Sequence, residues 1–105
     1  MYILEIKQSA SAGTTESSDI LITIDKNQSN DIQINLESSV EKQFGRQIRA
    51  KIQTTLEKLD VTNAKIKAID KGALDCTIEA RTIAAVYRAA NQDTIDWQVM
   101  QKWND

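Results

Sequence analysis

The residues best suited to chemistry in this chain are hydroxyls. Thr14, Thr15, Ser17 and Ser18 crowd into SASAGTTESSD, Ser9 to Asp19, a stretch with no side chain larger than glutamate and no apolar one beyond two alanines. Such a run buries too little apolar surface to offset the entropy of ordering its backbone, so it reads as an exposed, mobile loop over about 9–19. Two uses fit that description. One is a linker; the other is a place where a bulky group is joined to a hydroxyl, reachable by a modifying enzyme and free to move afterwards.

Other chemistries are poorly supplied. The sequence has no histidine, which removes the usual general base, the Cys-His and Ser-His-Asp nucleophiles, and the common nitrogen ligand of soft metals. A single cysteine, Cys76, excludes an internal disulfide. It falls on the apolar side of a strand-like stretch and reads as a small buried hydrophobe, not a reactive thiol. With 13 basic and 15 acidic residues, net −2, the chain lacks the broad positive field that holds nucleic acid. At 105 residues it makes one domain, 1–105, too small for the lobes in which most metabolic enzymes enclose a substrate. A composition of 41% hydrophobic and 27% charged residues suits a soluble globular protein. No apolar run approaches a bilayer span, and MYILEIKQ lacks the marks of a signal peptide, so a cytoplasmic protein without a membrane partner is expected. Any reacting group it carries is expected to be something other than its own side chains.

The elements that must position the hydroxyls follow from periodicity. Ile20 to Ile24 is a β-branched run, and Asp31 to Leu36 alternates, with Ile32, Ile34 and Leu36 on one face. The intervening DKNQSN is rich in turn formers, which predicts an antiparallel hairpin. Val40, Phe44, Ile48, Ile52, Leu56 and Leu59 then recur almost every four residues, the stripe of a long amphipathic helix, with Ser38 and Glu41 as a capping pair. Gly45 weakens that helix by roughly 1 kcal/mol relative to alanine, which suggests close packing or a local constraint there. Asn63 to Ile69 and Leu74 to Ala80 read as two further strands about a turn at Asp70, Lys71 and Gly72, and Arg81 to Ala90 reads as a second helix. The expected fold is therefore α+β in two layers, a small antiparallel sheet with helices packed on one side, in the order β-β-α-β-β-α.

Three blocks carry a family likeness. AGTTESSD at Ala12 to Asp19, SSVEKQFG at Ser38 to Gly45, and DKGALDC at Asp70 to Cys76 followed by EARTIAAVYRA resemble, in order and spacing, the citrate lyase acyl carrier proteins, the gamma subunits of that complex. The likeness runs from about Ile6 to Ala90. It implies a covalent prosthetic group, 2′-(5″-phosphoribosyl)-3′-dephospho-CoA, joined by a phosphodiester to the serine after the glutamate of the family's AGTLESSD segment. That serine is here Ser17, with Ser18 as the competing site, and Thr15 stands where the family usually has leucine.

The resemblance further implies a non-catalytic subunit whose arm carries acetyl and citryl thioesters between two active sites. The alpha subunit exchanges acetyl for citryl and releases acetate; the beta subunit cleaves the citryl thioester to oxaloacetate. Implied partners are these two subunits, the prosthetic-group transferase and the acetate-loading ligase. A malonate decarboxylase carrier, with a similar group, is the alternative within the class, and SSVEKQFG favours citrate lyase. A binding or structural module with an unmodified Ser17 is the alternative outside it. Glu16 and Asp19 serve either transferase recognition and loop solvation or, for Asp19, simply the end of the loop. Turn chemistry accounts for much of Asp70, Lys71, Gly72 and Asp75 without a binding role. The tail over about 91–105, with Trp97 and Trp103, either completes the core or docks on larger subunits.

Overall fold

The computed structural model describes residues 6–29 and 31–90. Within them lie β1 (Ala10–Gly13), β2 (Ile20–Asp25), β3 (Ile32–Ser38), α1 (Glu41–Lys58), β4 (Ala64–Asp70) and α2 (Asp75–Ala89). The four strands form one sheet in the order β1-β2-β4-β3. Ile20, Ile22 and Ile24 of β2 and Ala64, Ile66 and Ala68 of β4 are fully or almost fully buried, while Lys65 and Lys67 point to solvent. Alternation with period two thus puts one face of the sheet in the core, and both helices pack over that sheet and against each other. The fold is α+β, with its helices on one side, as the sequence predicts.

Strand pairing differs from expectation. β2 and β3 do not form a hairpin; β4 lies between them, antiparallel to β2 and parallel to β3. The sheet is therefore mixed, and β3–α1–β4 is the helix-bridged crossover that a parallel pair requires. The reason is burial. β2 and β4 carry the most deeply buried side chains and take the centre, whereas Ile32 and Ile34 of β3 are only half-buried, as befits an edge.

Two segments change type. Ala10–Gly13, inside the expected loop over 9–19, is strand β1, paired with Leu21 to Ile24; backbone hydrogen bonding to β2 supplies what its small side chains do not. Residues 74–80 are helical rather than a strand, so the element order is β-β-β-α-β-α. Of Leu74, Cys76, Ile78 and Ala80, only Ile78 is buried, and Leu74 is 70% exposed. Ile78 instead joins Thr82, Ala85, Val86 and Ala89 on the buried stripe of α2 at helical spacing, and Asp75 sits in the first turn, where a carboxylate favours the helix. Cys76 is accordingly exposed, not buried.

Helix α1 buries Ile48, Ile52, Leu56 and Leu59 as expected, and Gly45 is buried with them, but Phe44 is 45% exposed. Phe44 and Leu74 together flank an apolar groove of about 350 Å³ floored by Ile48 and Ile78. The capping pair is replaced by another device. Val40 is the N-cap and makes no side-chain cap bond, while Ser38 Oγ accepts the Val40 N–H at 3.1 Å and donates to Asp70 Oδ2 at 2.8 Å. At the other end, Asp60 adopts a left-handed φ of 58° and the Val61 N–H reaches back to the Leu56 carbonyl, closing the helix as glycine usually does.

Asp70, 1% exposed, ties the ends of these elements together. Besides Ser38, its carboxylate accepts the N–H groups of Gly72 at 3.1 Å and Ala73 at 3.0 Å. Asp70→Ala leaves those part-buried donors without their acceptor and is expected to lower stability by about 2 kcal/mol, with Asp70→Asn in between. Urea denaturation followed by circular dichroism measures both.

Candidate functional site

The loop between β1 and β2 shrinks in the structure to residues 14–19, and it is a defined turn. The Asp19 N–H donates to the Glu16 carbonyl at 3.2 Å, and Ser18 has a φ of 64°. A hydrogen bond from residue four to residue one with a left-handed third residue describes a type II β-turn, Glu16 to Asp19, with Ser17 at its outer corner. The Ser18 N–H donates to the Lys71 carbonyl at 2.8 Å, while the Lys71 N–H donates to the Asp19 carbonyl at 2.9 Å. Two residues of one strand thus face one of the other, a bulge of the kind that takes a left-handed first residue. It carries the β2–β4 ladder past Ile20 and Asp70 into the turn.

Side chains complete the hold. Arg81 of α2 grips Asp19 with two parallel bonds, Nε to Oδ1 at 3.1 Å and Nη2 to Oδ2 at 3.0 Å. Thr14 Oγ1 donates to Asp19 Oδ2 at 2.7 Å and accepts the Glu16 N–H at 3.2 Å, and the Ile20 N–H donates to Asp19 Oδ1 at 2.7 Å. Gly13 makes the approach possible. Its φ is +100°, and a Cβ there would lie 1.8 Å from the Ile20 carbonyl oxygen and 3.3 Å from Arg81 Cδ, so only glycine fits.

Each residue singled out in the sequence has a distinct place here. Ser17 and Ser18 are exposed, with Thr15 and Glu16 beside them. Thr14, also exposed, has its hydroxyl engaged by Asp19. Asp70 is the buried knot beneath the turn, Lys71 contributes its backbone, and Gly72 takes a left-handed φ of 88° in open space. Asp75 and Cys76 stand on the first turn of α2, and Trp97 and Trp103 lie outside the described residues. No group of residues that could hold a metal occurs among the described residues, and no helix there is long and apolar enough to cross a membrane. Arg81 is the residue that sequence reading missed. It lies 62 positions from Asp19, within a block that reads only as helix.

Electrostatics follow from this arrangement. Arg81, then Thr14 and the Ile20 N–H, stabilise the Asp19 carboxylate and hold its pKa at about 2, below the ordinary 3.8. A depressed folded-state pKa contributes stability that is fully present above the unfolded value and is lost as pH falls through the folded one. The stability difference between the wild type and Asp19→Asn is therefore expected to hold steady above pH 4 and shrink between pH 4 and pH 2, as read from thermal midpoints across that range.

Known proteins share this framework. A family model described as the malonate decarboxylase delta subunit (MdcD), an acyl carrier protein, matches residues 7–89. The citrate lyase acyl carrier proteins of Streptococcus pyogenes serotypes M4 and M28 are each 58% identical over 101 residues, covering 96% of this chain and 99% of theirs. Among solved structures, a chain of a Pseudomonas malonate decarboxylase hetero-tetramer in complex with malonate matches with a TM-score of 0.71, over 84% of this chain and 90% of that one; at 15% identity this is a likeness of fold. With near full-length identity of that order to curated relatives, the chain belongs to the citrate lyase acyl carrier protein family.

Proposed function

We propose that the protein is the acyl carrier subunit of a citrate lyase complex, bearing 2′-(5″-phosphoribosyl)-3′-dephospho-CoA on Ser17 through a phosphodiester. The observation that carries this reading is the position of Ser17. Its side chain is exposed at the corner of a turn whose flanks are tied down through Thr14, the Ser18 N–H and Asp19, in a chain 58% identical to citrate lyase acyl carrier proteins. The residues present fit the group. An exposed serine at a convex corner leaves room for a long substituent, and Arg81 offsets one of the two carboxylates that flank a new negative charge.

The group, once attached, supplies a terminal thiol on which acetyl and citryl are held as thioesters. The chain's own part is mechanical: it anchors the arm and offers a fixed body to its partners. Those partners are the alpha subunit, which exchanges acetyl for citryl; the beta subunit, which cleaves the citryl thioester; the transferase that attaches the arm; and the ligase that loads acetate. A tether turns each encounter into an intramolecular one at an effective concentration set by arm length. The absence of histidine from the sequence supports a non-catalytic role, and the proposed place of that role is the cytoplasm, beside the complex. The malonate decarboxylase carrier remains the second reading because the family model bears that description.

Mass spectrometry after co-expression with the prosthetic-group enzymes tests the assignment. Ser17→Ala is expected to lose the added mass completely. Ser18→Gly is expected to load fully and to gain about 1 kcal/mol of stability, because glycine takes the left-handed position without the steric conflict that serine meets. Loading of Ser17→Ala, or its loss in Ser18→Gly with the turn intact, would move the attachment site or remove it.

A further inference from the structure

Resting on the reading of Ser17 as the attachment site, we propose that Arg81 and Asp19 are positioning residues for that attachment, holding the turn in the one backbone conformation in which the transferase accepts Ser17. The fork of Arg81 meets both oxygens of Asp19, which fixes orientation as well as distance. The same side chain runs past Gly13, where an added Cβ would be 3.3 Å from Arg81 Cδ. One arginine on α2 therefore bonds the residue before β2 and lies close beside the last residue of β1. The other side of the turn is held by the two backbone bonds to Lys71. Between these anchors Ser18 is kept at a φ of 64°, a conformation that a free serine seldom adopts.

A loop of six small polar residues without these ties would sample many shapes, and a docking enzyme would have to order it. Here the ordering is built into the fold. The chemistry it serves is phosphodiester formation from an activated donor, a phosphoanhydride of the CoA derivative bound by the transferase. A bond forms between Ser17 Oγ and phosphorus, the anhydride P–O bond breaks, its electron pair leaves with the phosphate leaving group, and the serine proton passes to a base on the transferase. Neither Arg81 nor Asp19 touches the reacting atoms.

The test uses the full apo chain, purified transferase and its activated donor, with attachment rates read by intact mass. Arg81→Gln is expected to raise KM for the apo chain about tenfold while kcat stays within about twofold, because the loss is one of pre-organised binding. Arg81→Lys, which keeps the charge without the fork, is expected to recover part of that loss. A core truncation, Ile52→Val, serves as a control with a comparable drop in thermal midpoint and is expected to leave KM unchanged. Hydrogen exchange on the apo variants gives a readout independent of loading, in which the Ser18 and Asp19 amides exchange faster in Arg81→Gln while those of β2 and β4 do not. Unchanged KM in Arg81→Gln, or an equal rise in Ile52→Val, overturns the proposal. An unmodified Ser17 in the wild type, with a known carrier loaded in parallel, instead overturns the attachment reading and takes the proposal with it.

Discussion

A buried carboxylate organises the functional end of this protein. Asp70 closes β4, and its side chain collects the Ser38 hydroxyl at the end of β3 and the N–H groups of Gly72 and Ala73 on the way into α2. Its carbonyl accepts the Ser39 N–H at 3.3 Å. Three segments thus meet at one residue, and the neighbouring Lys71 is placed so that its backbone meets Ser18 and Asp19. A carboxylate in the interior is unfavourable unless its lone pairs are answered; the donors gathered here answer them. The site turn is therefore attached to the most constrained point of the fold.

The central place of β4 explains why a small chain can offer so firm a platform. Inserted between β2 and β3, β4 is hydrogen-bonded along both edges, and its buried side chains belong to the same core as the isoleucines of β2 and the apolar stripes of both helices. Rigidity propagates outward along β2 into the turn. On the proposed reading, a turn joined to such a strand gives the attached arm a stationary base, so that only the arm need move between partners.

Charge around the turn is apportioned by the fold. Asp19 turns its carboxylate toward Arg81 and Thr14, whereas Glu16 is exposed. Arg81, distant in sequence, offsets the Asp19 charge while it holds the backbone of the turn. A short polar segment that looks unremarkable in composition acquires its order from a residue far along the chain.

Much of this was legible in the residues themselves. The hydroxyl cluster at Thr14 to Ser18, the amphipathic stripe from Ile48 to Leu59, the β-branched run of β2, the alternation of β3, and the α+β class all follow from local composition and period, because burial of one face imprints a repeat on any helix or strand. What the tertiary structure alone decided is non-local. The partners of β2 and β3, the strand made by Ala10–Gly13, and the pairing of Arg81 with Asp19 depend on contacts across many residues, to which no local period responds. The segment from Leu74 to Ala80 shows the boundary between the two. Its alternation fits a strand as well as a helix over so short a span, and burial of Ile78 with Thr82, Val86 and Ala89 in one core selects the helix.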